Sequence, residues 1–176
     1  FAQYVSRLSF LMSQGKSSAE VGLYYPIAGL WKESSDSDFA RSIAMDFDEL
    51  SNSLMENQVE FDYLDEDAVL SDRMRLQDGC CSIGEGCYRC IILPNGSIGR
   101  PELLDIFDAF VREGGTLIVR RNSFSETLLN AEKINNRLFK CVERLMDIHQ
   151  KSGVLKPYGR GKIFLADSLK DIFTHQ

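Results

Sequence analysis

Four of the five cysteines lie in one short stretch, and they are the side chains best suited to binding a metal. Cys87-x-x-Cys90 has the spacing of a zinc-ligand pair, and a hairpin could bring Cys80 or Cys81 close to it. A complete four-cysteine zinc site usually has two such pairs, whereas this stretch has one. We therefore expect no bound metal, with Cys80, Cys87 and Cys90 as weak candidate ligands. The alternative interpretation makes Cys90 part of a strand core and the others small hairpin residues.

Cysteine usage also bears on compartment and on nucleophilic chemistry. Five cysteines are an odd number, which favours free thiols and a cytoplasmic location over a disulfide framework. Cys87 comes before a strand, whereas an elbow nucleophile follows one. The two histidines, His149 and His175, lie near the end of a long helical pattern and at the chain terminus. We expect no Cys–His relay and no catalytic activity from this chain alone.

No pattern for binding a nucleotide or another cofactor is present. Neither G-x-G-x-x-G nor the Walker pattern occurs, and the segment after the first predicted strand lacks the hydroxyl side chains that hold a flavin phosphate. The net charge of −6 argues against a nucleic-acid partner, because non-specific affinity for phosphates comes from Lys and Arg. No run approaches the ~20 apolar residues of a membrane span. We expect no cofactor, no nucleic-acid partner and no membrane partner.

An acidic run offers the one arrangement that suggests a glycosidase. Asp62, Asp65, Glu66 and Asp67 could supply a pair of catalytic carboxylates. The simpler interpretation is that Asp65 caps a short helix and that the next two acids favour the positive end of that helix. We expect the capping role.

Aromatic residues form the most ligand-like feature of the chain. Tyr24, Tyr25 and Trp31 lie at or beyond the carboxyl end of the first predicted strand, where doubly wound sheets bind ligands. Asn95 and Gly96 would face them from the third main strand. Aromatic rings suit sugar stacking, although at strand ends they more often pack against a helix. The candidate ligand-binding residues are therefore Tyr25, Trp31, Asn95 and Gly96.

Alternating strand and helix patterns must position these residues. Apolar runs predict strands near residues 21–25, 60–64, 90–93, 116–119 and 162–165. Helical spacing precedes or separates them, so right-handed βαβ units and a parallel sheet are expected. The 60–64 strand alternates polar and apolar residues as an edge strand does, which favours the order 2-1-3-4-5. Asp78-Gly79 predicts a small hairpin insertion over residues 74–83. The predicted fold is a three-layer α/β domain with a five-stranded parallel sheet, flavodoxin-like in order.

Several short motifs together resemble a known module. They are YVSRLSFLMSQG at 4–15 leading into EVGLYYP at 20–26, EFDYLDED at 60–67, YRCIILP at 88–94 with GGTLI at 114–118, and GRGKIF at 159–164. This combination resembles the segment that follows the catalytic barrel in large bacterial glycoside hydrolases. That segment is a class I glutamine amidotransferase-like domain, similar to the trimerisation domain of certain β-galactosidases.

The resemblance implies a function without catalytic residues. In such enzymes the catalytic carboxylates belong to the preceding barrel, so none is carried over to this chain. Residues 1–18 are expected to be a helix and linker that continue from that barrel, and residues 19–176 a single α/β domain. The first hypothesis is an ancillary domain of a carbohydrate-active enzyme that packs on the barrel and could mediate homo-oligomerisation. The alternative is a stand-alone module that binds a sugar or other small molecule in the crevice near Trp31; an independent amidotransferase-type enzyme ranks last.

Overall fold

The computed structural model describes residues 1–27, 30, 37–96, 100, 102–120, 123, 137–148 and 153–166. Its helices are α1 (Ala2–Met12), α2 (Asp38–Glu56), α3 (Glu66–Val69), α4 (Glu102–Arg112) and α5 (Arg137–Ile148). Its strands are β1 (Val21–Tyr24), β2 (Phe61–Leu64), β3 (Arg75–Gln77), β4 (Cys80–Ile83), β5 (Gly86–Tyr88), β6 (Cys90–Leu93), β7 (Thr116–Arg120), β8 (Val154–Tyr158) and β9 (Gly161–Ala166). No helix within these ranges is long and apolar enough to cross a membrane.

The main sheet has six strands in the order β2-β1-β6-β7-β9-β8. β2, β1, β6, β7 and β9 run parallel in the order expected from the sequence. The expected count of five strands is wrong, because β8 pairs antiparallel with β9 at one edge. Pro157 lies in this strand, and an edge strand tolerates proline because its outer N–H groups need no partner. The result is a mixed, mostly parallel α/β sheet.

Side chains alternate between two cores, one on each face of this sheet. Along β6, Ile91 and Leu93 join the larger core, while Ile92 points to the smaller one. The larger core includes α4 and α5, and the smaller core includes Leu50 and Leu54 of α2. Strands buried on both faces explain the continuous apolar runs in the sequence.

The predicted hairpin is present and is larger than expected. β3, β4 and β5 form a separate three-stranded antiparallel sheet. Asp78 and Gly79 both have positive φ, at 50° and 74°, as a tight two-residue hairpin turn requires. Cys81 and Tyr88 of this small sheet are buried in the larger core.

Helix α1 differs from all the others because none of its residues is buried. Seven large apolar side chains remain between 41% and 103% exposed; they are Phe1, Tyr4, Val5, Leu8, Phe10, Leu11 and Met12. Arg7 is the only charged side chain in the helix. The remaining helices bury apolar side chains, whereas no described part of the chain covers α1 in this way.

Candidate functional site at the carboxyl ends of the strands

The parallel strands all end at one edge of the main sheet, and polar side chains gather just beyond several of these ends. In sheets of this order, ligands bind at the edge where the connections from neighbouring strands turn to opposite faces. Helix α2 follows β1 on the face of the smaller core, and α4 follows β6 on the face of the larger core. A ligand-binding site is therefore expected at this edge of the sheet.

On the α2 side, a buried carboxylate ties three elements together. Asp46 of α2 accepts hydrogen bonds from Arg120 Nε at 3.1 Å and from Arg120 Nη2 at 2.7 Å. Its other oxygen accepts the backbone N–H of Asn95 at 2.9 Å. The Asp46 and Arg120 side chains are only 7% and 10% exposed, so this ion pair belongs to the interior. It fixes α2 across the ends of β6 and β7.

The predicted ligand-binding residues on this side pack against α2. The Tyr25 ring meets Phe47 at a centroid distance of 5.0 Å and a 65° angle. Gly96 has φ of +63°, and a side chain there would lie 2.5 Å from Ile43 Cδ1. Asn95 is held through its backbone to Asp46. Trp31 lies outside the described residues, and a ligand role for the four residues stays a prediction.

Tyr25 also begins a row of aromatic rings toward the edge strand. Phe47 lies 5.3 Å from the ring of Tyr63, and Tyr63 lies 5.4 Å from that of Phe61. Tyr63 is the most exposed of the four. Edge-to-face and tilted ring contacts of this kind stabilise packing beyond the area they bury. These ring contacts give Tyr25 a role in packing that requires no ligand.

On the α4 side, two buried polar atoms have no hydrogen-bond partner among the described residues. They are the Tyr24 hydroxyl and Glu66 Oε1. Tyr24 is fully buried at the end of β1, with its ring edge-to-face against Phe107. Glu66 is 5% exposed at the start of α3. Sequence reasoning noticed Tyr24 and Glu66 separately but did not connect them, because Tyr24 was left out of the candidate set and Glu66 was explained by the helix end.

Arg100 is the nearest cation to these atoms. Its Nε lies 3.4 Å from Glu66 Oε1, an ion-pair distance, although the direction of the N–H does not give a hydrogen bond. We take this contact as electrostatic only. Burial raises the pKa of Glu66, and Arg100 partly opposes that effect. Burial also raises the pKa of Tyr24, and the negative charge of Glu66 adds to the shift. The Tyr24 phenol therefore stays protonated and able to donate a hydrogen bond.

The acidic run has the capping role expected from the sequence. Asp65 Oδ1 accepts the backbone N–H of Ala68 at 2.6 Å and is the N-cap of α3. Asp62 accepts the Tyr88 hydroxyl at 3.0 Å and the Ser17 hydroxyl at 3.2 Å. Asp67 pairs with Arg100 at the surface. None of these contacts sets up two carboxylates across an open cleft.

The cysteine stretch differs from expectation. Cys80 and Cys87 are joined by a disulfide with 5.6 Å between their Cα atoms, so the prediction that both thiols are free is wrong. The antiparallel pairing of β4 with β5 brings the two residues together, and spacing along the chain could not show that. Cys81, Cys90 and Cys141 are free, and burial raises the pKa of Cys81 to about 11.

The residues considered as metal ligands or as partners of a nucleophile do not form such a site among the described residues. Across those residues, no three His, Cys, Asp or Glu side chains are grouped to hold a metal ion. The disulfide removes Cys80 and Cys87 as thiolate ligands. His149 and His175, weighed as partners for a cysteine nucleophile, lie outside the described residues.

Comparison with known proteins gives one informative likeness. No protein-family model matches the sequence, and no curated protein matches it. Among solved structures, the fold is similar to part of a rhamnosidase from Novosphingobium sp. PP1Y, with a TM-score of 0.58 and 19% identity. The match covers 96% of this chain and 15% of the rhamnosidase chain. At this identity the likeness shows the fold alone. The chain corresponds to about 15% of the length of the rhamnosidase that it matches.

Proposed function

We propose that this chain is a non-catalytic ancillary α/β domain of a larger glycoside hydrolase and packs on the catalytic barrel of that enzyme. The observation that carries the proposal is the fold likeness: nearly all of this chain corresponds to 15% of a rhamnosidase chain. The sequence motifs independently resemble the domain that follows the barrel in such hydrolases. A flavodoxin-like or amidotransferase-like class is part of the same proposal.

Helix α1 supports a packing role because it lacks a partner of its own. An isolated helix of this length is marginal in water, and most helices in proteins are stabilised by packing an apolar face. The 11 residues of α1 bury no side chain. The rhamnosidase match leaves 4% of 176 residues, about 7, outside it, so part of α1 falls within the match. We infer that α1 docks onto the rest of the parent enzyme.

The same helix could also support homo-oligomerisation. Phe1, Tyr4, Leu8 and Leu11 lie on one side of the helix at spacings of three and four residues. Phe1 and Tyr4 alone would bury about 300–500 Å², at ~150–250 Å² for each aromatic side chain, which is about half of the ~800 Å² per partner of a specific interface. Exposed apolar patches of that size are rare on soluble monomers.

Two experiments test the proposal directly. The genomic reading frame that encodes this chain should contain a glycoside hydrolase barrel upstream, and a frame without one contradicts the proposal. The purified chain should hydrolyse neither aryl glycosides, an aryl α-L-rhamnoside included, nor glutamine above background. Turnover that disappears in Cys87→Ala would instead support the amidotransferase-type enzyme.

Self-association through α1 can be tested with a pair of matched variants. Light scattering on the full chain should show dimers or larger species, and Leu8→Glu should convert them to monomers. Leu155→Glu is the control, because Leu155 is similarly exposed on the edge strand β8. Equal behaviour of the two variants would remove α1 as the interface.

A further inference from the structure

The unpartnered pair at the carboxyl edge needs an explanation, because buried polar atoms in proteins are almost always hydrogen-bonded. Tyr24 Oη and Glu66 Oε1 both lie in the interior without a hydrogen-bond partner among the described residues. Leaving either group unpaired costs more stability than a made hydrogen bond contributes. The two unsatisfied atoms therefore point to a hydrogen-bond partner from outside the described chain.

The strand register places the two side chains in one neighbourhood. Tyr24 pairs with Leu64 across β1 and β2, and the N–H of Tyr25 donates to the carbonyl of Leu64 at 2.8 Å. Glu66 follows two residues after Leu64, at the start of α3. Arg100 approaches Glu66 from the segment before α4. The site is therefore formed by the end of β1, the residues after β2 and Arg100.

The hydrogen-bonding properties of Tyr24 Oη and Glu66 Oε1 indicate which chemical group could bind between them. A protonated phenol donates a hydrogen bond, and a carboxylate oxygen accepts one. An O–H group can do both at once, since its oxygen accepts from Tyr24 while its hydrogen goes to Glu66. A carboxylate or phosphate ligand would be repelled by Glu66 and the neighbouring Asp65 and Asp67.

We propose that Tyr24 and Glu66 form a binding site for a hydroxyl group of a neutral polyol or monosaccharide, with Arg100 at its rim. Water in the free protein would fill the same position and be displaced by the ligand. Arg100 is about half exposed and pairs with both Glu66 and Asp67, so it can offer further N–H donors to the hydroxyls next in the ligand. This site lies on the α4 side of the sheet and is separate from the predicted residues on the α2 side. The choice of a monosaccharide as ligand rests on the proposed function.

The test uses the full chain with L-rhamnose as the probe and glycerol as a second, non-sugar polyol. Ligand-observed NMR should detect binding of L-rhamnose, and crystals soaked in it should show a sugar oxygen within hydrogen-bond distance of both Tyr24 Oη and Glu66 Oε1. Tyr24→Phe and Glu66→Leu should each weaken binding roughly tenfold, because the first removes the donor and the second the acceptor of a buried hydrogen bond. Tyr88→Phe is the control, since Tyr88 is also buried but its hydroxyl already donates to Asp62.

Three outcomes would overturn the proposal. A water oxygen at this position, with no binding of either polyol, would show a structural water site. A direct hydrogen bond from Tyr24 to Glu66 in the crystal, with nothing between them, would remove the site altogether. Equal weakening by Tyr24→Phe and Tyr88→Phe would indicate a general effect on folding. The proposed function is tested separately by the upstream reading frame, so a barrel found there without polyol binding removes this site alone.

Discussion

The buried ion pair of Asp46 with Arg120 makes the strongest stability prediction. Asp46→Ala removes a carboxylate that accepts two hydrogen bonds from Arg120 and one from the backbone of Asn95. The guanidinium of Arg120 stays in the interior without its carboxylate. Removing one partner of a buried pair costs about 3–5 kcal/mol, because the remaining charge stays largely desolvated after it loses that partner. We expect Asp46→Ala to lower the free energy of unfolding by that amount, a large part of a small domain's total stability.

Urea unfolding followed by far-UV circular dichroism measures this change. The midpoint should fall while the slope with denaturant stays the same, since the surface exposed on unfolding is unchanged. Asp46→Asn should cost less, because it keeps the shape and one acceptor oxygen. Asp38→Ala is the matched control on the same helix, since Asp38 pairs with Arg41 at 3.6 Å in full contact with solvent. It should shift the midpoint little.

A double variant separates the pair from its surroundings. Asp46→Leu combined with Arg120→Met should destabilise less than the sum of the two single variants, because apolar replacement of both partners leaves no buried charge. The reasoning is refuted if Asp46→Ala lies within about 1 kcal/mol of the wild type at an unchanged slope. Strict additivity of the two single variants would equally show that the charges do not interact.

Two further predictions concern the disulfide and a crowded glycine. Replacing Cys80 and Cys87 together by serine should lower the free energy of unfolding by about 2 kcal/mol, the loop-closure value for a short loop. A thiol titration of the unreduced, denatured wild type should detect three free thiols, not five. Five titrating thiols would contradict the disulfide. Gly96→Ala should destabilise more than Gly84→Ala, since both positions have similar positive φ but only Gly96 lacks room for a side chain. Equal losses at the two glycines would mean that backbone strain alone sets the effect.

Sequence patterns predicted the parallel strands because the buried strands leave apolar runs and the edge strand β2 leaves an alternating pattern. They did not predict β8, where Lys156 and Pro157 interrupt the apolar residues. This strand tolerates both residues because it lies at the edge of the sheet and pairs with β9 alone. The pairing of Cys80 with Cys87 was equally hidden, since it depends on the register between β4 and β5 and not on spacing along the chain. The pattern of apolar residues along the chain shows which strands are buried, but it does not show the register in which neighbouring strands pair.

The candidate site shows the same limit. The sequence singled out the aromatic residues at the end of β1, yet the described Tyr25 packs on Phe47, and the group without a hydrogen bond is its neighbour Tyr24. A tyrosine at the end of an apolar strand gives no sign in the sequence that its hydroxyl lacks a partner. Asp65 could be predicted as a helix cap because capping is a local interaction, whereas the fate of Glu66 depends on Arg100 from a distant segment.

Local choices in natural sequences generally agree with the fold, and the exceptions concentrate at functional sites. Two such exceptions stand at the two ends of β1. Helix α1 leads into its amino end with an apolar surface that the described chain leaves uncovered. Tyr24 closes its carboxyl end with a buried hydroxyl that lacks a hydrogen bond. The first mismatch is apolar and extends along a whole helix, and the second is a single polar group. We therefore propose different occupants for the two ends: another protein surface at α1, and a small hydroxylated ligand at Tyr24.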